Sequence, residues 1–115
     1  MSNLLSFLRS PNTGRSGQPF SAAVKIAVWQ KARIVPGLDP AEWRMDACGT
    51  RIKWSAFGTT ADGGFGWEID HILPVAHGGT DDLGNLQALQ WQNNRHKSDS
   101  LNMNYCLVQF RTAAV

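Results

Sequence analysis

Residues 67–99 read WEIDHILPVAHGGTDDLGNLQALQWQNNRHKSD. Trp67 to Leu73 reads as a short strand, ended by Pro74 because proline cannot donate to a ladder. Val75 to Gly84 is a loop with Gly78-Gly79 and the paired Asp81-Asp82. Asn85 to Leu89 is a second short strand, and Gln90 to about Lys97 a helix.

The polar residues of this stretch are of three useful kinds. Asp70 supplies an anionic oxygen, the donor type that Mg²⁺ and Mn²⁺ prefer. His71 has an ordinary pKa of about 6.5, suited to a general base near neutral pH. Neighbours on a regular strand face opposite ways. Asp70 and His71 can therefore share a site only if the strand twists or ends there, and Pro74 makes an ending plausible. Asn94 and Lys97 are three apart, hence neighbours on a helix. Asn94 offers a neutral amide oxygen to a metal, and Lys97 a mobile charge to phosphate. Arg95 and His96 flank them and can reach a nucleic-acid backbone. Asn85 can hydrogen-bond the loop backbone or hold the His71 imidazole in one tautomer. His77, before the glycine pair, reads as a loop histidine.

Working outward, Ser21 can cap a helix running to about Arg33, with Val24, Ala27 and Val28 at helical spacing and Lys25 and Lys31 on the polar side. Pro36-Gly37 stops it. Asp39-Pro40 begins a short helical turn over Ala41 to Arg44 that presents Trp43 to the core. Asp46 to Trp54 reads as a hairpin turning near Gly49-Thr50. In it Ile52 and Trp54 alternate with Arg51 and Lys53, so one face is apolar and the other cationic, either DNA-facing or solvated. Gly58 to Gly66 is a glycine-rich loop without the Gly-x-x-x-x-Gly-Lys-Ser/Thr phosphate-binding pattern. Trp91 should face the core, and Tyr105 to Phe110 is an apolar segment of unassigned type. Residues 1–20 have no period and read as a flexible N-terminal arm, with Arg9 and Arg15 solvated or touching phosphate.

At 115 residues and 43% apolar content, including five Trp and five Phe, the chain supports one domain with one small core. No apolar run is long enough to span a membrane. The patch Leu4 to Leu8 has no basic residue before it and no small-residue cleavage site after it, so no signal peptide is expected and the chain reads as cytoplasmic. Cys48 and Cys106 could form a disulfide, but without a signal two ordinary buried thiols are the expectation. Residues 1–66 carry eight Lys/Arg against four Asp/Glu, and residues 67–115 three against five. A basic part beside an acidic, cation-seeking part suits a DNA-cleaving domain, although such a difference also occurs as plain surface variation.

Together, Asp-His-Ile-x-Pro at 70–74, Gly-Gly-Thr-Asp-Asp at 78–82, Asn-Leu-Gln-x-Leu at 85–89 and Asn-Arg-x-Lys-Ser-Asp at 94–99 resemble the HNH endonuclease family. The last motif is also similar to the HNH domain of RNA-guided DNA nucleases. The resemblance is strong over residues 67–99 and loose before them. It implies a ββα-metal fold in which two short strands and a helix clasp one divalent ion. It places Asp70 and Asn94 as metal ligands, His71 as general base, Asn85 as the residue orienting that base, and Lys97 as a basic group near the phosphate. Many members bind a structural zinc through Cys-x-x-Cys pairs. Here Gln90 and Asn93 hold the second pair's positions, so no structural zinc is expected. Packing by the five Trp and the N-terminal helix should replace it. Asn rather than His at 94 favours Mg²⁺ or Mn²⁺.

The resulting expectation is a small single α+β domain over residues 21–115, with an N-terminal helix, a β-hairpin and a ββα-metal motif. It would hydrolyse phosphodiester bonds in DNA with one divalent ion and no membrane partner. No element reads as a base-reading module, so weak sequence preference is expected. Arg95, His96, Arg51, Lys53 and Lys97 are the candidate DNA contacts. The alternatives are a catalytically inactive DNA-binding module of the same fold and a nuclease toxin domain. Monomer and dimer stay equally open.

Overall fold

The computed structural model describes residues 9–101 and 104–108. Helix α1 (Ala22–Lys31) is followed by β1 (Arg33–Ile34), β2 (Trp43–Met45) and β3 (Arg51–Lys53), which form one antiparallel sheet in that order. Beyond the glycine-rich loop, β4 (Trp67–His71) and β5 (Leu86–Gln90) pair antiparallel and lead directly into α2 (Trp91–Lys97). The architecture is the small α+β one expected.

Helix α1 starts where its sequence allows a cap. Ser21 is extended and its Oγ accepts the Val24 N–H, satisfying a donor with no intrahelical partner. It stops at Lys31, two residues early, because Arg33 and Ile34 pair with Met45 and Arg44. Lys31 is tied to the start of β5, its Nζ donating to the carbonyls of Leu83 and Leu86. Lys25 lies 4.4 Å from the ring centres of both Trp54 and Phe57. The helical turn expected over Ala41 to Arg44 is instead a turn held by Asp39 Oδ1 on the Ala41 N–H, with Trp43 already in a strand. Pairing of Trp43–Met45 with Arg51–Lys53 overrides the local helix-start signal.

Val28, Trp29, Ile52, Trp67, Ile69, Leu86 and Ala88 form the core, where α1 meets both sheets. Trp29, Trp54 and Trp67 stack there with ring centres 5.1–6.0 Å apart. Trp91 is only half-buried. Its backbone N–H bonds the Gly66 carbonyl at 3.0 Å. Gly66 has to be glycine, since a Cβ there would fall 1.8 Å from the Thr59 oxygen.

Cys48 and Cys106 are not separate thiols. They form a disulfide with Cα atoms 5.6 Å apart. Nothing local in the sequence pairs residues 58 positions apart; the fold does so by returning residues 104–108 to the hairpin turn at 46–50. Those returning residues carry no helix or strand, and Phe110 lies outside the described residues. Among the described residues no helix is long and apolar enough to cross a membrane.

Candidate active site

β4 pairs with β5 along one edge, in the register Asp70↔Gln87 and His71↔Leu86. Its two faces do different work. Trp67 and Ile69 enter the core, and His71 continues that face, 5.8 Å from the Phe20 ring. Glu68 and Asp70 face α2. Glu68 accepts Arg95 in a two-pronged bond, 3.1 Å from Nε and 2.7 Å from Nη2, and Asn94 Nδ2 at 2.9 Å. One step along, Asp70 Oδ1 lies 3.2 Å from Lys97 Nζ and Oδ2 accepts Gln87 Nε2 at 2.9 Å. Asp70 and His71 therefore do point opposite ways, as a regular strand requires. The strand ends at His71, and both residues line one cleft of about 270 Å³ with Asn94 and Arg95. Arg9 to Thr13 close its other side, and Asn12 Oδ1 accepts the Ile69 N–H at 2.7 Å on the outer edge of β4.

Lys97 is placed differently from the sequence expectation of a mobile charge. It is 3% exposed, beneath β4, with Nζ also donating to the His71 carbonyl at 2.9 Å. In this position it is the counter-ion of Asp70. Burial pushes the Asp70 carboxyl above its ordinary value, while the Lys97 charge and the Gln87 hydrogen bond work the other way. Asn85 acts on the loop. Its Oδ1 accepts the Leu73 N–H at 2.8 Å, and its Nδ2 donates to the carbonyls of Leu73 at 3.1 Å and Thr80 at 2.8 Å. Gly79 serves the same closure, because a Cβ there would fall 1.7 Å from the Leu73 oxygen. The closed loop brings Asp81 Oδ1 to 2.8 Å from His71 Nε2. His96 is exposed, with Nδ1 2.8 Å from the Tyr105 carbonyl. Arg51 and Lys53 lie 5.4 Å and 5.2 Å from the Trp43 ring centre on the other sheet, and neither lines the cleft.

A hydrated hard cation uses one or two carboxylates and completes its shell with water. Asp70 and Asn94 lie on one cleft, although both Asp70 oxygens are engaged by Lys97 and Gln87. Asn94 turns its nitrogen to Glu68, which leaves the amide oxygen as the donor for a cation. Among the described residues no three His, Cys, Asp or Glu side chains gather closely enough to hold a metal, so an ion here would rest on one carboxylate and one amide.

Residues 47–100 match the family model described as HNH endonuclease. This stretch is similar to the HNH endonuclease family. No curated protein and no solved structure gives a significant match. Members of the family are nucleases acting on nucleic acid, and they generally use a divalent metal.

The match begins at Ala47, upstream of the stretch where the motifs were legible. A buried carboxylate, Asp46, lies next to it. Asp46 Oδ1 accepts the N–H groups of Cys48 and Thr50, and Oδ2 accepts the Gln90 N–H and Asn93 Nδ2, all within 2.8–3.0 Å. Asn93 Oδ1 accepts the N–H groups of Leu107 and Val108. Gln90 and Asn93 thus knit the hairpin turn, the start of α2 and the C-terminal segment into one hydrogen-bonded knuckle. The disulfide closes the same corner. Sequence reasoning missed Asp46, Glu68, Asp81 and Gln87. For Glu68 a signal existed: it lies two residues before Asp70, hence on the same strand face.

Proposed function

We propose that this HNH domain hydrolyses phosphodiester bonds in DNA, with one divalent ion, Mg²⁺ or Mn²⁺, at Asp70 and Asn94 and with His71 as general base. The reading is carried by one observation: a carboxylate, an amide and an imidazole from two elements line a single open cleft. When bound, the ion would neutralise charge on the scissile phosphate and on the leaving 3′ oxygen. Asp70 and Asn94 would hold it through their side-chain oxygens. His71 takes the proton of the attacking water through Nδ1, because Nε2 is engaged with Asp81. Arg95 is fixed by Glu68 through Nε and Nη2, and offers the rest of its guanidinium to the backbone of the substrate.

Nicking of supercoiled plasmid tests this. EDTA should abolish cleavage and Mg²⁺ or Mn²⁺ restore it. His71→Ala should keep metal binding in a calorimetric titration and lose roughly 10²–10⁴-fold in single-turnover rate. Asp70→Ala should weaken metal binding, with activity partly returning at high metal concentration. Full activity in EDTA would sink the reading. DNA binding with no nicking in any metal would mark an inactive binding module.

A further inference from the structure

The residues that bear on His71 from behind come from two places in the chain, and one of them lies outside the family-matched stretch. Asp81 Oδ1 is 2.8 Å from His71 Nε2. A carboxylate only accepts hydrogen bonds, so Nε2 carries the hydrogen and Nδ1 is the basic nitrogen. Asp81 is itself held. Both its oxygens accept the Arg15 N–H, at 2.9 Å and 3.0 Å. Arg15 sits in a small arch in which Thr13 bridges Pro19 and the Gly14 N–H bonds the Gln18 carbonyl at 2.7 Å. A Cβ on Gly14 would fall 2.8 Å from Asp81 Oδ2, so the glycine allows this close approach. Asn12 anchors the arch to β4 through the Ile69 N–H.

We propose that Asp81 is the positioning residue of His71, and that the arch of residues 12–19 completes the base by holding Asp81 through the Arg15 N–H. Asp81 fixes the tautomer with Nδ1 unprotonated and fixes the plane of the ring. Asn85 Nδ2 holds the Thr80 carbonyl, next to Asp81 in the chain, at 2.8 Å. The catalytic half of this inference rests on His71 being the general base. The contact and the tautomer do not.

Two measurements separate these. Long-range ¹⁵N–¹H correlation spectra of the imidazoles should show His71 as the Nε2–H tautomer in the wild type, as a tautomer mixture in Asp81→Ala, and as Nε2–H again in Asp81→Asn, whose amide oxygen can still accept. In single-turnover nicking at saturating metal, Asp81→Ala should lose about 10–100-fold, part of what a general base contributes. Asp81→Asn should recover much of that, and plasmid affinity should be the same in all three. Well-dispersed amide spectra of both variants confirm that they fold. An Asp81→Ala protein that keeps the Nε2–H tautomer, or that nicks at the wild-type rate, overturns the proposal. A wild type that nicks in no metal refutes the nuclease reading instead, while the spectra still decide whether Asp81 sets the tautomer.

Discussion

Asp70 and Lys97 are each about 95% or more buried and 3.2 Å apart. Breaking a buried ion pair by removing one partner typically costs ~3–5 kcal/mol, because the other charge stays behind uncompensated. Lys97→Met should therefore lower stability by about that much in urea unfolding at neutral pH. Asp70→Asn combined with Lys97→Met should recover most of the loss, since no unpaired charge remains. A Lys97→Met protein as stable as the wild type would place the ammonium elsewhere. Lys97 also shows what a sequence can and cannot carry at this scale. Its position three residues after Asn94 put both on one helix face, and both do face β4. Whether that face met solvent or strand depended on where the helix docked, and the motif says nothing about docking. Asp81 was no more legible, since only the closed loop distinguishes it from Asp82.

At the scale of elements, β4, β5 and α2 were legible because proline and glycine punctuate them and because β5 runs into α2 with no linker. Trp43–Met45 was not, because a strand of three residues is decided by its partner across the sheet. The loop between β4 and β5 is held by Asn85, which makes three hydrogen bonds to it. Asn85→Asp keeps the acceptor but turns the donor into a second acceptor facing two carbonyls. It should cost about 1 kcal/mol, the net worth of an intramolecular hydrogen bond, and should slow nicking by releasing Asp81. Equilibrium urea curves and plasmid nicking check both effects. The same loop has a pH signature. Burial alone would push the Asp81 carboxyl up, but hydrogen bonds from His71 and the Arg15 N–H outweigh it and hold it below its ordinary value. A carboxylate depressed in the folded state stabilises above its unfolded pKa of about 3.9, and that contribution disappears as pH falls through the lower folded value. Wild type should thus be more stable than Asp81→Ala above about pH 4, with the two converging in stronger acid. Urea midpoints across pH measure this, and a gap that widens on acidification would reverse the assignment.

For the molecule as a whole, one corner holds the ends of the design together. The disulfide, Asp46 and Asn93 bind residues 104–108 to the hairpin turn and to α2. From there the segment reaches the site. Tyr105 Oη is 3.3 Å from Gln87 Nε2, and Gln87 in turn donates to Asp70. Closing a loop of this length restricts the unfolded chain and stabilises by about 2–4 kcal/mol in small proteins. Such bonds persist in oxidising surroundings and are reduced in most cytosols, so the bridge and the cytoplasmic expectation pull in opposite directions. Reduction therefore has two expected effects. Dithiothreitol should lower the wild-type urea stability by roughly 2–4 kcal/mol, with no further effect on the Cys48→Ser/Cys106→Ser variant. The hydrogen-bonded knuckle does not depend on sulfur, so the reduced protein should stay folded at 25 °C with a looser C-terminal segment, visible as faster amide exchange at Leu107 and Val108. If reduction leaves both stability and exchange unchanged, the knuckle alone fixes the segment. Complete unfolding on reduction would mean that the disulfide, and not the Asp46 network, holds this corner.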